Sequence, residues 1–323
     1  LLDFEAKQNP AKLVDNADWL GAFSLLEFLR DVGKHFTLNY MIAKDSVKSR
    51  VDRESGISYT EFSYMLLQAA DFHHLFKTQD CVLQIGGSDQ WGNITAGTEL
   101  IRRVEGRSAF GLTLPLITTA SGAKFGKTEQ GAVWLSADKT SPYQFYQYFV
   151  RADDRDVGKY LRYFTFLTLD RIAELDAAVL AAPERREAQK ALAWEVTALL
   201  HGEDAARSAV AGTELLFGGR PDALTEADLL AVSDEVEKTE FQEPFSAWRD
   251  PIELFASTGK LADSKGAARR LLAQGGVYVN NERMPVDCKS IPESMLLFGR
   301  YLLLRAGKKT YHLAVFPAAR TDS

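Results

Sequence analysis

Gln84-Ile85-Gly86-Gly87-Ser88-Asp89-Gln90-Trp91-Gly92-Asn93 is the stretch on which the fold turns. The apolar run over residues 81–85 predicts a buried strand that stops at the two glycines, and Asn93 then opens a helical pattern over residues 94–104. A strand that ends in glycines and feeds a helix is where α/β sheets place ligands. Glycine lets backbone approach a ligand closely, and free N–H groups at a helix start suit anions. Downstream, Lys124-Phe125-Gly126-Lys127-Thr128 sets two lysines at i and i+3, in a loop hinged by Gly122, Gly126 and Gly131. Two ammonium groups near a strand-end crevice suit a polyphosphate, although on spacing alone two lysines in a glycine-rich loop are usually just solvated.

Upstream, residues 59–76 predict a long helix, and Tyr64, Gln68 and Asp71 sit at i, i+4 and i+7 on it. At 100° per residue they fall within about 60° of one another on a helix otherwise nearly all apolar. Such a stripe is either a narrow solvent-facing strip or one wall of a polar pocket. Residues 17–32 predict another helix, in which Leu20, Phe23, Leu26, Phe28 and Leu29 are apolar, and residues 112–118 a second strand. Strands alternating with helices predict βαβ units and a parallel sheet, an α/β fold.

The chain has 323 residues and a net charge of −6, which by itself counts against a nucleic-acid partner. The distribution alters that reading. Residues 251–323 hold 11 Lys+Arg and 6 Asp+Glu, a balance of +5, so the first 250 residues carry −11. A basic end on an acidic body fits a polyanion. No apolar run is long enough to span a membrane, and no signal-like start is visible. Two cysteines, Cys81 and Cys288, far apart in sequence, argue against a disulfide scaffold and fit a reducing, cytoplasmic compartment. The five histidines show no zinc-ligand spacing, and no protein metal site is expected.

Four segments are expected: an α/β domain over residues 1–142, an all-α domain over 143–225, an acidic linker over 226–249, and a small α+β module over 250–323. In the last, Lys265, Arg269 and Arg270 fall on one side of a predicted helix and Ala268, Leu271 and Leu272 on the other. Gly275-Gly276 ends that helix, and residues 277–284 read as strand, turn, strand.

Taken in this order, the Gln84–Asn93 run, the Lys-Phe-Gly-Lys-Thr run and the polar helix stripe resemble the class I aminoacyl-tRNA synthetases, the bacterial-type tyrosyl family in particular. The resemblance implies a Rossmann-like catalytic domain, an α-helical anticodon-binding domain and an S4-like RNA-binding domain. It implies that Tyr64 and Gln68 hold a tyrosine α-amino group and that Asp71 accepts its phenolic hydrogen. Gln84 faces the same pocket, Gln90 reaches the substrate carboxylate or α-phosphate, and Gly87 and Asp89 meet the ATP ribose. Lys124, Phe125, Gly126, Lys127 and Thr128 form the ATP-phosphate segment, with Mg²⁺ arriving on ATP. Lys265, Arg269 and Arg270 meet tRNA(Tyr). A homodimer is expected from the family. One departure stands out: the His-x-Gly-His signature of the first βα turn is missing, and about 100 residues, one nucleotide-binding half, are expected upstream of Leu1. Two other readings stay open, a tryptophanyl synthetase and an RNA-binding derivative without catalysis.

Overall fold

The computed structural model describes residues 2–44, 47, 56–122, 125–128, 131–219, 224–307 and 310–317. It divides into two units, Leu2–Thr118 and Thr119–Ser323.

The first unit holds α1 (Ala17–Leu20), α2 (Leu25–Asp31), α3 (Leu38–Ile42), α4 (Tyr59–Gln79), β1 (Leu83–Gly87), α5 (Trp91–Glu105) and β2 (Phe110–Leu114). The helix expected over residues 17–32 is two helices. Ser24 and Glu27 form a reciprocal capping box that starts α2 afresh, and Leu25 and Leu26 lie exposed rather than on a continuous apolar face. A second capping box, Ser58 with Glu61, starts α4. Its buried side is Met65, Leu66, Ala69, Ala70, Phe72 and Phe76. It packs on α5 at Gly97, where a β-carbon would lie 2.8 Å from Phe72 Cδ1.

β1 and β2 pair in parallel, from Leu83 opposite Phe110 to Gly87 opposite Leu114, with α5 as the crossover. The strand therefore runs through Gly86 and Gly87 instead of stopping before them. A single 3₁₀ turn over Ser88–Gln90 then delivers the chain into α5 at Trp91, three residues earlier than expected. β2 starts at Phe110 and ends before Pro115, which has no N–H for the ladder.

In the second unit a short hairpin, β3 (Lys127–Thr128) against β4 (Gly131–Ala132), precedes five helices: α6 (Pro142–Val150), α7 (Asp154–Phe164), α8 (Leu169–Ala181), α9 (Glu187–His201) and α10 (Glu203–Leu216). Then come α11 (Glu226–Val232), β5 (Glu237–Glu240), α12 (Pro251–Ser257), α13 (Lys265–Ala273), β6 (Val277–Val279), β7 (Glu282–Arg283), β8 (Tyr301–Ala306) and β9 (Thr310–Val315). The last five strands form one sheet in the order β5-β9-β8-β6-β7.

The expected linker is thus folded. β5 runs parallel to β9, from Glu237 opposite His312 to Glu240 opposite Val315. Phe241 and Phe245 just beyond it enter the core, where Phe241 stacks on Phe316 at 4.9 Å. Of the acidic residues that suggest a linker, Glu237 and Glu240 are exposed groups of an edge strand, where charge prevents further pairing, and Asp228 is buried in α11.

Candidate functional site

Helix α4 turns its polar stripe away from the core. Tyr64 is 55 % exposed, while Gln68 and Asp71 are half-buried. The Asp71 carboxylate is already held on both oxygens. Trp19 Nε1 donates to Oδ1 at 2.8 Å, and Asn16 Nδ2 donates to Oδ2 at 3.0 Å. Trp19 is itself fixed by stacking on His74, ring centroids 4.3 Å apart and planes 6° from parallel. These groups and Gln84 line a cleft of ≈ 930 Å³ with Leu13 at its rim. Gln84 Oε1, at the start of β1, is buried with no hydrogen-bond partner among the described residues. A buried acceptor without a donor is costly, and a carboxylate oxygen that has accepted one hydrogen bond can accept another. The cleft therefore presents two acceptors, Asp71 and Gln84, to an incoming donor.

Tyr64 and Gln68 share the helix stripe with Asp71 but lie outside this cleft, toward the N-terminus of α4. Asn16 and Trp19 carry no sequence signal for the role they take: they sit at and just inside a four-residue helix, 55 and 52 residues from Asp71.

At the end of β1 the Asp89 carboxylate folds back over Gly87. A β-carbon on Gly87 would lie 2.6 Å from Asp89 Oδ1 and 3.1 Å from Leu116 Cδ2, so the position tolerates only glycine without a shift. Gln90 Nε2 donates to Asp89 Oδ2 at 3.2 Å, and Asn93 Nδ2 donates to Gln90 Oε1 at 3.2 Å. This chain of polar side chains stands where α5 begins. Gln90 makes no side-chain cap to the helix, and the first helical N–H, that of Trp91, is donated to Ser88 O.

In the second unit Phe125 and Gly126 are half-buried, and Lys127–Thr128 forms the first strand of the hairpin. Lys124 and the side chains of Lys127 and Thr128 lie outside the described residues. On α13, Lys265, Arg269 and Arg270 are exposed while Ala268 and Leu272 are buried, with Leu271 packed against the same core. Lys265 pairs with Glu253 of α12 at 2.5 Å. Two further features were not expected from sequence. The Arg305 guanidinium lies over Tyr278 at 3.8 Å, and Asn281 Nδ2 donates to Leu215 O and Gly219 O, at 2.7 and 2.9 Å, closing the end of α10.

Among the described residues there is no cluster of three metal-ligating side chains, and no helix is long and apolar enough to cross a membrane.

Residues 1–218 match the family described as tRNA synthetases class I (W and Y), and residues 234–314 match a "Tyrosine--tRNA ligase SYY-like C-terminal domain". The chain is 51 % identical over 312 residues to a tyrosine--tRNA ligase of Opitutus terrae, covering 96 % of this chain and 73 % of that one. It is 51 % identical over 313 residues to the enzyme of the same name from Bacillus caldotenax, covering 97 % and 73 %. Among solved structures, a C-terminally truncated mitochondrial tyrosyl-tRNA synthetase of Aspergillus nidulans superposes with a TM-score of 0.54 at 37 % identity, covering 62 % of this chain and 57 % of that one. A similarly truncated enzyme of Coccidioides posadasii gives 0.51 at 38 % identity, covering 60 % and 56 %.

Proposed function

The chain belongs to the tyrosyl-tRNA synthetase family of class I, and from that membership we propose that it is a tyrosine--tRNA ligase. In the first step a tyrosine carboxylate oxygen attacks the α-phosphorus of ATP, and the bond to pyrophosphate breaks. The carboxylate is already a nucleophile, so no protein base is required, and catalysis rests on positioning and charge stabilisation. In the second step the terminal ribose hydroxyl of tRNA(Tyr) attacks the tyrosyl carbonyl, and AMP leaves.

The observation that carries this reading is the Asp71 cleft. Two neutral N–H donors orient its carboxylate, and Gln84 adds an unpaired amide oxygen, a pair of acceptors suited to a phenolic O–H. Tyr64 and Gln68 hold the α-ammonium group, and Gln90 the carboxylate or α-phosphate. Gly87 and Asp89 meet the ribose. Lys124, Lys127 and Thr128, on the segment with Phe125 and Gly126, neutralise the phosphates, and Mg²⁺ enters bound to ATP as part of the substrate. Lys265, Arg269 and Arg270 bind tRNA phosphate, the protein works as a homodimer, and it acts in the cytoplasm.

Asp71→Asn in the full-length protein tests the reading by pyrophosphate exchange. A partly buried carboxylate whose remaining acceptor capacity phenylalanine cannot use is what discriminates against it. The variant should activate tyrosine more slowly and discriminate less between the two amino acids; an unchanged ratio of tyrosine to phenylalanine activation contradicts the assignment.

A further inference from the structure

Solvation gives a phenylalanine in a glycine-rich loop no fixed place; here Phe125 is seated in the helical domain. The Phe125 ring lies 4.9 Å from Tyr160 and 5.1 Å from Phe164, centroid to centroid, both on α7. It lies 5.5 Å from Tyr148 and 6.0 Å from Phe149, both on α6. The Tyr148 ring meets it edge-on, and the Tyr148 hydroxyl accepts the Gly126 N–H at 3.0 Å. The Gly126 carbonyl in turn accepts the Val133 N–H at 3.0 Å, at a glycine φ of +81°. Gly126 is therefore pinned on both sides, directly before the backbone of Lys127 pairs with Ala132.

The upstream leg is held by the same helix. Asp156, Tyr160 and Phe164 stand at i, i+4 and i+8, one stripe of α7. Asp156 is 3 % exposed, and its Oδ2 accepts the Ala120 N–H at 2.7 Å while Lys159 Nζ donates to Oδ1 at 3.0 Å. A carboxylate this deeply buried is costly unless fully bonded, and one of its partners is loop backbone. A single stripe of α7 thus grips the loop at residue 120 and at residue 125, on either side of its glycine hinge at Gly122.

We propose that the helical domain sets the position of the lysine segment through the Phe125 socket, with Tyr148 and Asp156 as positioning residues for adenylate formation. The proposal rests on the reading that Lys124 and Lys127 neutralise the ATP phosphates. Charge stabilisation of a transferring group falls off steeply with misplacement, so a loosened socket slows the chemical step and leaves tyrosine binding in the other unit intact. Burial of the Tyr148 ring and hydroxyl also raises its pKa, so the hydroxyl stays protonated.

The test is single-turnover adenylate formation in the full-length protein, with tyrosine affinity measured alongside. Tyr148→Phe keeps the ring and removes the acceptor; it should lower the rate constant about three- to tenfold, and Phe125→Leu more than about tenfold, with tyrosine affinity within about twofold of the parent. Lys127→Ala is the reference. If Tyr148 acts through the lysine, the double variant Tyr148→Phe/Lys127→Ala is no slower than Lys127→Ala alone, whereas a general structural role gives additive losses. Hydrogen exchange should rise in peptides covering residues 119–134 of Tyr148→Phe and stay unchanged in α9 and α10. Parental rates in Tyr148→Phe and Phe125→Leu beside a slow Lys127→Ala, or additive losses, overturn the socket proposal and spare the lysine reading. A parental rate in Lys127→Ala overturns both.

Discussion

Asp71 holds the indole N–H of Trp19 and the amide of Asn16 before any ligand arrives, so its geometry is set in advance. Hydrogen bonds to a charged acceptor contribute more than neutral ones, about 1.5–3 kcal/mol. Trp19→Phe keeps an aromatic ring against His74 and removes the donor. If Asp71 accepts the phenolic hydrogen, KM for tyrosine should rise about tenfold while phenylalanine activation stays nearly unchanged. Pyrophosphate exchange with both amino acids measures it; equal losses for both would show that Trp19 only packs. The stripe of Tyr64, Gln68 and Asp71 was legible because helical periodicity is local. The donors to Asp71 were not, because a tertiary hydrogen bond across more than fifty residues leaves no periodic trace. The collision between Gly87 and the Asp89 carboxylate lies between these cases: the glycine was visible, its reason was not.

At the scale of elements, the C-terminal sheet carries a buried titratable group on the strand pair that the sequence concealed. His312 on β9 is 2 % exposed; its Nε2 bonds Thr239 Oγ1 of β5 at 2.8 Å, and its Nδ1 is buried without a partner among the described residues. Burial lowers its pKa; nearby Glu237 opposes the shift and Lys260 adds to it. His201, edge-on to Phe145, is lowered by burial too. The unfolded chain then binds protons that the folded one refuses, so stability falls as pH drops through about 6.5 toward the folded pKa, by at most about 1.4 kcal/mol per pH unit for each histidine. Denaturant midpoints between pH 7.5 and 5 check this, and His312→Gln should flatten the dependence; a midpoint constant over that range would contradict it. Amphipathic helices such as α4 and α13 announced themselves by period. β5 did not, because an edge strand of Glu, Lys, Thr and Glu buries too little apolar surface to be told from a linker. The break between α1 and α2 was written in Ser24 and Glu27, yet the apolar run across them outweighed the cap.

At the scale of the molecule, the C-terminal module begins near β5 and not near residue 250, so a deletion meant to remove it cleanly should start at residue 234. A cut at Pro251 would leave Phe241 and Phe245 without the Phe316 they pack on. Alanine at Lys265, Arg269 and Arg270 together leaves Ala268 and Leu272 in the core. It should weaken tRNA binding and flatten its salt dependence, because fewer counterions are released, with adenylate formation unchanged. Affinities titrated at several salt concentrations decide this, and parental affinity with a parental slope would make the face merely solvated. The chain belongs to a family of tyrosine--tRNA ligases, and the Asp71 assignment proposed above predicts which amino acid it activates. The most direct measurement is amino-acid-dependent exchange of pyrophosphate into ATP by the full-length protein, run in parallel with tyrosine, phenylalanine and tryptophan. Exchange driven by tyrosine and nearly silent with the other two is the expected result; no exchange with tyrosine, or exchange driven by tryptophan, would contradict it.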